Sequence, residues 1–185
     1  MSQNLTDEQL SQLLKDPDQR RSAFSSVIHK YQEQLYWQIR KMVTDHEDAS
    51  DVLQNTLLKA WQALDNFRAD SKLSTWLYTI AHNEAITFLT KRQAELDMTI
   101  DDPDGYMMDT QEADNYFDGD EAQKLLIEAI NTLPAKQREV FNYRYYDDLP
   151  YEEISLITGT SVGALKASYH FAVEKISAFL RKKEI

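Results

Sequence analysis

Apolar residues recur along the first half of the chain at steps of three and four, the period of a helix that buries one face. Thr6-x-x-Gln9 has the pattern of a capping box and stands ahead of Leu10, Leu13 and Leu14. Phe24, Val27, Ile28, Tyr31, Leu35, Ile39 and Met42 mark a long second helix. Thr44-x-x-Glu47 reads as another capping box, opening a helix with Val52, Leu53, Leu57, Ala60, Trp61 and Leu64 on one side. A polar break covers 65–72. Ser74 is then placed to cap a helix carrying Leu77, Ile80, Ala81 and Leu89. This half predicts a bundle of about four helices.

The pattern stops in the middle of the chain and resumes near residue 121. Leu125, Leu126 and Ile130 predict a helix ending near Leu133, and Pro134 suits the first turn of the next, which contains Val140 and Phe141. Pro150 precedes a short helix over Tyr151–Thr158, Gly159 breaks it, and Ser161 can cap a last helix bearing Val162, Leu165, Tyr169, Val173, Ile176 and Leu180. The fold class expected is all-α: two small helical domains joined by an acidic flexible linker, the second containing a helix-turn-helix. The boundaries are 1–92, 93–120 and 121–185.

Composition supports the helical reading. The 185 residues include four glycines and four prolines, and none of either lies between Pro17 and Pro103. Strands need turns that recruit those residues. There is no cysteine, which excludes disulfide scaffolds, zinc ribbons and thiolate catalysis. No stretch approaches the roughly 20 apolar residues of a membrane span, and no basic start followed by an apolar run marks a signal peptide. The expectation is a soluble, cytoplasmic protein without membrane insertion.

Net charge is −11, which taken whole argues against a nucleic-acid partner. Its distribution removes that objection. Residues 1–92 carry 11 basic and 12 acidic side chains, and residues 121–185 carry nine of each. Residues 93–120 carry ten acidic and no basic ones. That segment contains Pro103, Gly105 and Gly119 and reads as a self-repelling spacer.

The stretch over 151–170 has the parts of a helix-turn-helix: a short helix, a turn and a second helix crossing at a wide angle. Gly159 can take the positive φ of the turn. Ile154, Ile157, Val162 and Leu165 lie where the helices should pack, with small Ser155 allowing close approach. Ser161, Lys166, Ala167, Ser168 and His170 face outward, suited to a major groove but poor in arginine. A second stretch, 66–83, places Arg68 and Lys72, the hydroxyls Ser71, Ser74 and Thr75, and the aromatics Phe67 and Trp76 within one loop and helix start. Cation, hydroxyl and aromatic together suit an unstacked base. From composition alone, Phe67 and Trp76 read more readily as core than as base contacts.

Three motifs give the chain a family resemblance. Glu47-Asp-Ala-Ser-Asp-Val-Leu-Gln-Asn-Thr-Leu-Leu-Lys-Ala-Trp61 is similar to the helix by which extracytoplasmic-function (ECF) sigma factors dock on the RNA polymerase clamp. Phe67-Arg-x-x-Ser-Lys-x-Ser-Thr-Trp-Leu-Tyr-x-Ile-Ala-x-Asn83 resembles their promoter-melting loop and helix. Leu133-Pro-x-x-Gln-Arg-Glu-Val-Phe141, with Tyr151-Glu-Glu-Ile154 and Ser161-Val-Gly-Ala-Leu-Lys166, resembles their reader of the minus-35 element. The resemblance implies core-polymerase contacts at Asp48, Asp51, Gln54 and Trp61. It implies minus-10 DNA contacts at Phe67, Arg68, Ser71, Lys72, Thr75, Trp76 and Asn83, and minus-35 contacts at Thr160, Ser161, Lys166, Ser168 and His170. Its implied partners are core RNA polymerase, promoter DNA and an anti-sigma factor, with no catalytic residue, metal or cofactor. The family often has arginine at Thr79, Ser168, Phe171 and Val173, and an acidic residue at Asn55.

Other readings are weaker. A helix-turn-helix regulator with a helical sensor domain has no reason to carry the first two motifs. A metal-dependent hydrolase would need convergent ligands. His29 and Glu33 share a helix face, but no paired motif completes a site, and the cluster at 45–48 suits a helix N-terminus. A helical scaffold without DNA contact is a further reading, as weak as the hydrolase.

Overall fold

All regular structure is helical among the described residues of the computed structural model, which are 5–67, 71–99 and 121–183. The elements are α1 (Asp7–Leu13), α2 (Arg20–Arg40), α3 (His46–Gln62), a 3-10 turn (Leu64–Asn66), α4 (Leu73–Thr99), α5 (Glu121–Asn131), α6 (Ala135–Tyr145), α7 (Tyr151–Thr158) and α8 (Val162–Lys183). They form two units, Met1–Thr99 and Ile100–Ile185.

In the first unit, α1 starts with the expected capping box. Gln9 N–H donates to Thr6 Oγ1 at 3.3 Å, and Thr6 N–H donates to Gln9 Oε1 at 2.9 Å. This short helix would not persist alone. It is held by Leu10 and Leu14, which are buried, and by Asp7, which accepts from Lys30 Nζ at 2.7 Å and from the Tyr31 hydroxyl. Burial raises the Asp7 pKa, but the hydrogen bonds from Lys30 and Tyr31 outweigh it and hold the carboxyl below its ordinary value.

Helix α2 buries Ala23, Phe24, Val27, Tyr31, Leu35, Gln38 and Ile39 at the expected helical spacing. Gln38 Nε2 donates to the Tyr78 carbonyl of α4 at 3.1 Å, a buried polar tie between the two long helices. Helix α3 turns Ala49, Val52, Thr56 and Ala60 inward against α2 and α4. These are small or short residues, so the three helices approach closely.

Three boundaries differ from expectation. Asp45, not Thr44, caps α3, accepting from Glu47 N–H at 2.8 Å and Asp48 N–H at 3.0 Å. An ionised acceptor at the positive end of a helix outcompetes a hydroxyl one residue earlier. The Asp48 and Glu47 N–H bonds keep the Asp45 carboxyl below its ordinary pKa. Helix α4 begins at Leu73, so Ser74 lies inside its first turn and the Lys72 carbonyl accepts from Trp76 N–H. Helix α4 also runs through 93–99, where Gln93-Ala-Glu-Leu-Asp-Met-Thr99 supplies several good helix formers. Gln93 Nε2 donates to Asp97 Oδ1 at 2.7 Å one turn on. The rest of the expected acidic linker, 100–120, lies outside the described residues.

In the second unit, Ala129, Ile130, Leu133, Phe141, Ala172 and Ile176 make the core between α5, α6 and α8. Pro134 and Pro150 sit at the N-cap positions of α6 and α7 with extended ψ of 145° and 151°. Pro134 is thus one residue earlier than a first-turn position. Ile154, Ile157 and Leu165 are buried where α7 crosses α8. Gly159 ends α7 at φ 68°, ψ 11° and turns the chain into α8.

The two described glycines of this unit separate backbone from space. A Cβ at either Gly159 or Gly163 would meet nothing within 4 Å, so only conformation distinguishes them. Gly159→Ala is expected to cost about 1–2 kcal/mol through its left-handed backbone. Gly163→Ala, inside α8, is expected to be neutral or stabilising by up to about 1 kcal/mol. Urea unfolding followed by a probe in the second unit measures both.

Candidate nucleic-acid interface and protein-docking face

Burying Ala49, Val52, Thr56 and Ala60 forces the opposite side of α3 into solvent. That side carries Asp51, Gln54, Asn55, Leu58 and Trp61, all exposed. Leu58 is 55 % exposed and Trp61 40 %, unusual for large apolar side chains on a polar surface. Trp61 is steadied from beneath by Phe24, ring centroids 5.2 Å apart in an edge-on contact. Trp37 of α2 is another exposed tryptophan, at 54 %. Leu58 and Trp37 were not singled out by sequence. The Leu57-Leu58 doublet was the available signal, since one of two adjacent residues on a packed helix must point away.

Asp48 behaves differently from Asp51 and Gln54. It sits at the edge of this face and pairs with Arg92 of α4, Oδ2 to Nη1 2.6 Å. With Phe88, Lys91, Arg92 and Glu95 it lines a shallow recess of about 310 Å³ between α3 and α4. Its carboxylate is therefore engaged in joining two helices.

The start of α4 divides the second group of candidates into buried and exposed members. Phe67 and Thr75 are buried, at 7 % and 2 % exposure. The Phe67 and Trp76 rings lie 4.8 Å apart at 43°, an aromatic pair that ties Phe67 to the first turn of α4. Trp76 and Ser71 are half-buried, and Lys72 and Asn83 are exposed. Arg68 lies outside the described residues. Along α4 the outward line continues from Trp76 through Thr79, Asn83, Ile86 and Thr90, with Ile86 46 % exposed. The hydroxyls of Thr79 and Thr90 each donate to the carbonyl four residues earlier at 2.8 Å.

The turn between α7 and α8 is tied by side chains. Thr158 Oγ1 donates to the Ile154 carbonyl at 2.9 Å and accepts from Thr160 N–H at 3.3 Å. Ser161 Oγ accepts from Ala164 N–H at 3.4 Å, a long cap at the start of α8. Ser161, Gly163, Ala164, Lys166, Ala167, His170 and Phe171 are exposed, whereas Thr160 and Ser168 are half-buried. Lys166 Nζ lies 5.7 Å from the Tyr151 ring centre, and Arg144 Cζ lies 5.0 Å from the same ring. His170 Nε2 is 3.4 Å from Glu174 Oε1. Arg144 was not named by sequence, because it lies seven positions before Tyr151 on a different helix.

Among the described residues, no group of three or more His, Asp or Glu side chains is placed to hold a metal ion. None of the described helices is long and apolar enough to cross a membrane.

Comparison with known proteins follows the same division. The Sigma-70 region 2 family matches residues 27–95, and the Sigma-70, region 4 family matches residues 123–176. The RNA polymerase sigma-H factor of Pseudomonas aeruginosa is 31 % identical over 183 residues, covering 95 % of this chain and 94 % of its own. The ECF RNA polymerase sigma-E factor of Escherichia coli strain K12 is 31 % identical over 184 residues, covering 95 % of each. Among solved structures, the sigma factor RpoE from Bartonella quintana, in complex with the anti-sigma factor NepR, is similar with a TM-score of 0.70 and 26 % identity. It covers 85 % of this chain and 96 % of its own. CnrH, in complex with the cytosolic domain of CnrY, shares the fold at a TM-score of 0.66 and 23 % identity, covering 95 % and 97 %.

The buried and exposed candidates should separate under mutation. Phe67→Ala is expected to lower the stability of the first unit by about 3–5 kcal/mol, the usual cost of deleting a buried aromatic. Lys72→Ala is expected to change it by less than about 0.5 kcal/mol. Equilibrium urea unfolding of the full chain measures the difference.

Proposed function

The chain belongs to the ECF group of RNA polymerase sigma factors, and from that premise we propose how its surfaces divide the work of starting transcription. A sigma factor directs core polymerase to particular promoters, and the bond-forming chemistry stays with the polymerase. This chain accordingly acts by recognition and not as an enzyme, in the cytoplasm where the polymerase works.

The docking surface is the outward side of α3. Asp51 and Gln54 supply polar contacts, and Leu58 and Trp61 supply apolar area that would be buried on binding. That exposed apolar face, in a chain that also carries a helix-turn-helix, is the observation that carries the reading. It also disfavours the regulator with a sensor domain, which needs no such face. Asp48 supports the docking face indirectly by tying α3 to α4 through Arg92.

The start of α4 meets the minus-10 region. Lys72 and Arg68 bring positive charge to the backbone, and Trp76, Ser71 and Asn83 meet unstacked bases. Phe67 and Thr75 position this element from beneath, since both are buried. Extruding a base costs a few kcal/mol, and stacking and strand contacts offset part of that cost. In the second unit, α8 enters the major groove of the minus-35 element with Ser161, Lys166, Ser168 and His170, while Thr160 shapes the turn. Neither unit is basic overall, so each binds DNA weakly alone. Attachment to one polymerase raises the effective concentration of each reader for its site. An anti-sigma factor is an expected partner, as NepR is for the Bartonella quintana protein, and an exposed apolar docking face is a surface worth covering when the factor is idle.

Binding to core polymerase in the absence of DNA tests the reading. Wild-type chain is expected to co-migrate with core polymerase on a sizing column. Asp51→Arg and Leu58→Asp should each weaken that association tenfold or more, on the order of a lost interface anchor. Because both residues are exposed, the variants should keep wild-type helicity by circular dichroism. Undiminished co-migration of both would remove α3 as the dock.

A further inference from the structure

Helix α8 presents a surface of unusual composition for a DNA reader. It contains no arginine before Arg181, which lies about 15 Å along the axis from Phe171. Its cation in the first three turns, Lys166, is drawn to one flank over the Tyr151 ring. His170 Nε2 lies 3.4 Å from Glu174 Oε1 one turn on. The other flank carries Phe171, which is 51 % exposed. It contributes little to the core of the unit, whose aromatic stacking is made by Phe141 and Tyr169. Its ring contact is with His170 on the same helix, centroids 5.9 Å apart. Ala164, Ala167 and Phe171 fall at i, i+3 and i+7 and therefore share one side of α8.

The major groove offers one apolar recognition group, the C5-methyl of thymine, and alanine and phenylalanine are among the side chains that contact it. Guanine is read mainly by arginine or lysine reaching O6 and N7 together. We propose that Phe171 is a specificity-determining residue that reads thymine methyl groups in the upstream promoter element, assisted by Ala167 and Ala164. This rests on the assignment of α7 and α8 as the upstream DNA reader. It adds that the discriminating contact is apolar and lies on the Phe171 flank. Lys166 and Arg144, steadied by the Tyr151 ring, remain on the other flank for phosphate.

The test uses the full chain assembled with core polymerase and a promoter library randomised in the upstream element. The selected element is then remade with deoxyuridine in place of thymidine in that element alone, which removes the methyl groups and keeps the base pairing. Wild type is expected to select thymine at one or more positions and to lose about fourfold in affinity for each contacted methyl removed. Phe171→Ala, at an exposed position, should bind the thymine duplex more weakly than wild type and should lose less affinity than wild type on the exchange, the remainder being the share of Ala167 and Ala164. Phe171→Arg should shift the selected base toward guanine. The proposal is overturned if thymine is not selected, if wild type is indifferent to the exchange, or if Phe171→Ala weakens binding equally on both duplexes. The last outcome would make Phe171 a protein contact. If the holoenzyme selects no upstream sequence at all, the DNA-reading assignment of α7 and α8 falls with it.

Discussion

The first unit depends on how closely α3 can approach α2 and α4. Ala49, Val52, Thr56 and Ala60 form a narrow inward seam, and the Thr56 hydroxyl is satisfied within the helix by the Val52 carbonyl at 2.8 Å. With that seam buried, rotation of α3 about its axis is fixed. Asp51, Gln54, Leu58 and Trp61 must then face solvent, whatever their own preferences. A larger residue in the seam would push α3 outward and turn the exposed side with it, since a packed core transmits strain. The Arg92–Asp48 pair and the buried Gln38–Tyr78 hydrogen bond hold the neighbouring helices in the same register.

The second unit repeats this logic on a smaller scale. Ile154, Ile157 and Leu165 are buried at the crossing of α7 and α8, and Gly159 supplies the left-handed residue that lets the crossing occur. What remains outward on α8 is decided by that burial. In both units the proposed functional surface is the complement of the packed one. This is the arrangement expected of a protein that works by binding, with energy spread over faces and not concentrated at a reacting atom.

Much of this was legible in the sequence because it is encoded locally. The Thr6–Gln9 box, the Gly159 turn and the three- and four-residue apolar spacing each involve residues within one or two turns. The family resemblance was legible because its motifs are contiguous stretches. Less visible were features that depend on partners far along the chain. Asp48 pairs with a residue 44 positions away, so it reads as one more exposed acid until Arg92 is placed beside it. Thr75 and Phe67 fall within the stretch that suits an unstacked base, yet both are buried, which depends on packing and not on residue type. The Asp45 cap lost to Thr44 in the sequence because both types cap helices and only geometry separates adjacent candidates. The acidic run of 93–120 obscured the good helix formers at its start, 93–99, that continue α4.

Charge follows the same division between bulk and place. Nearly all of the −11 lies in 93–120, so it says little about the surfaces that meet DNA. Residues 1–92 and 121–185 are each close to neutral, and under the proposed division of work two weak readers act together once one polymerase holds both over a promoter. The central claim is that this chain confers promoter choice on a polymerase that otherwise lacks it. Run-off transcription with purified core polymerase over a promoter library tests it most directly. The account predicts transcripts from a defined subset of promoters when the full chain is added and none from core polymerase alone. Transcripts independent of the chain, or none with it from any promoter, would contradict it.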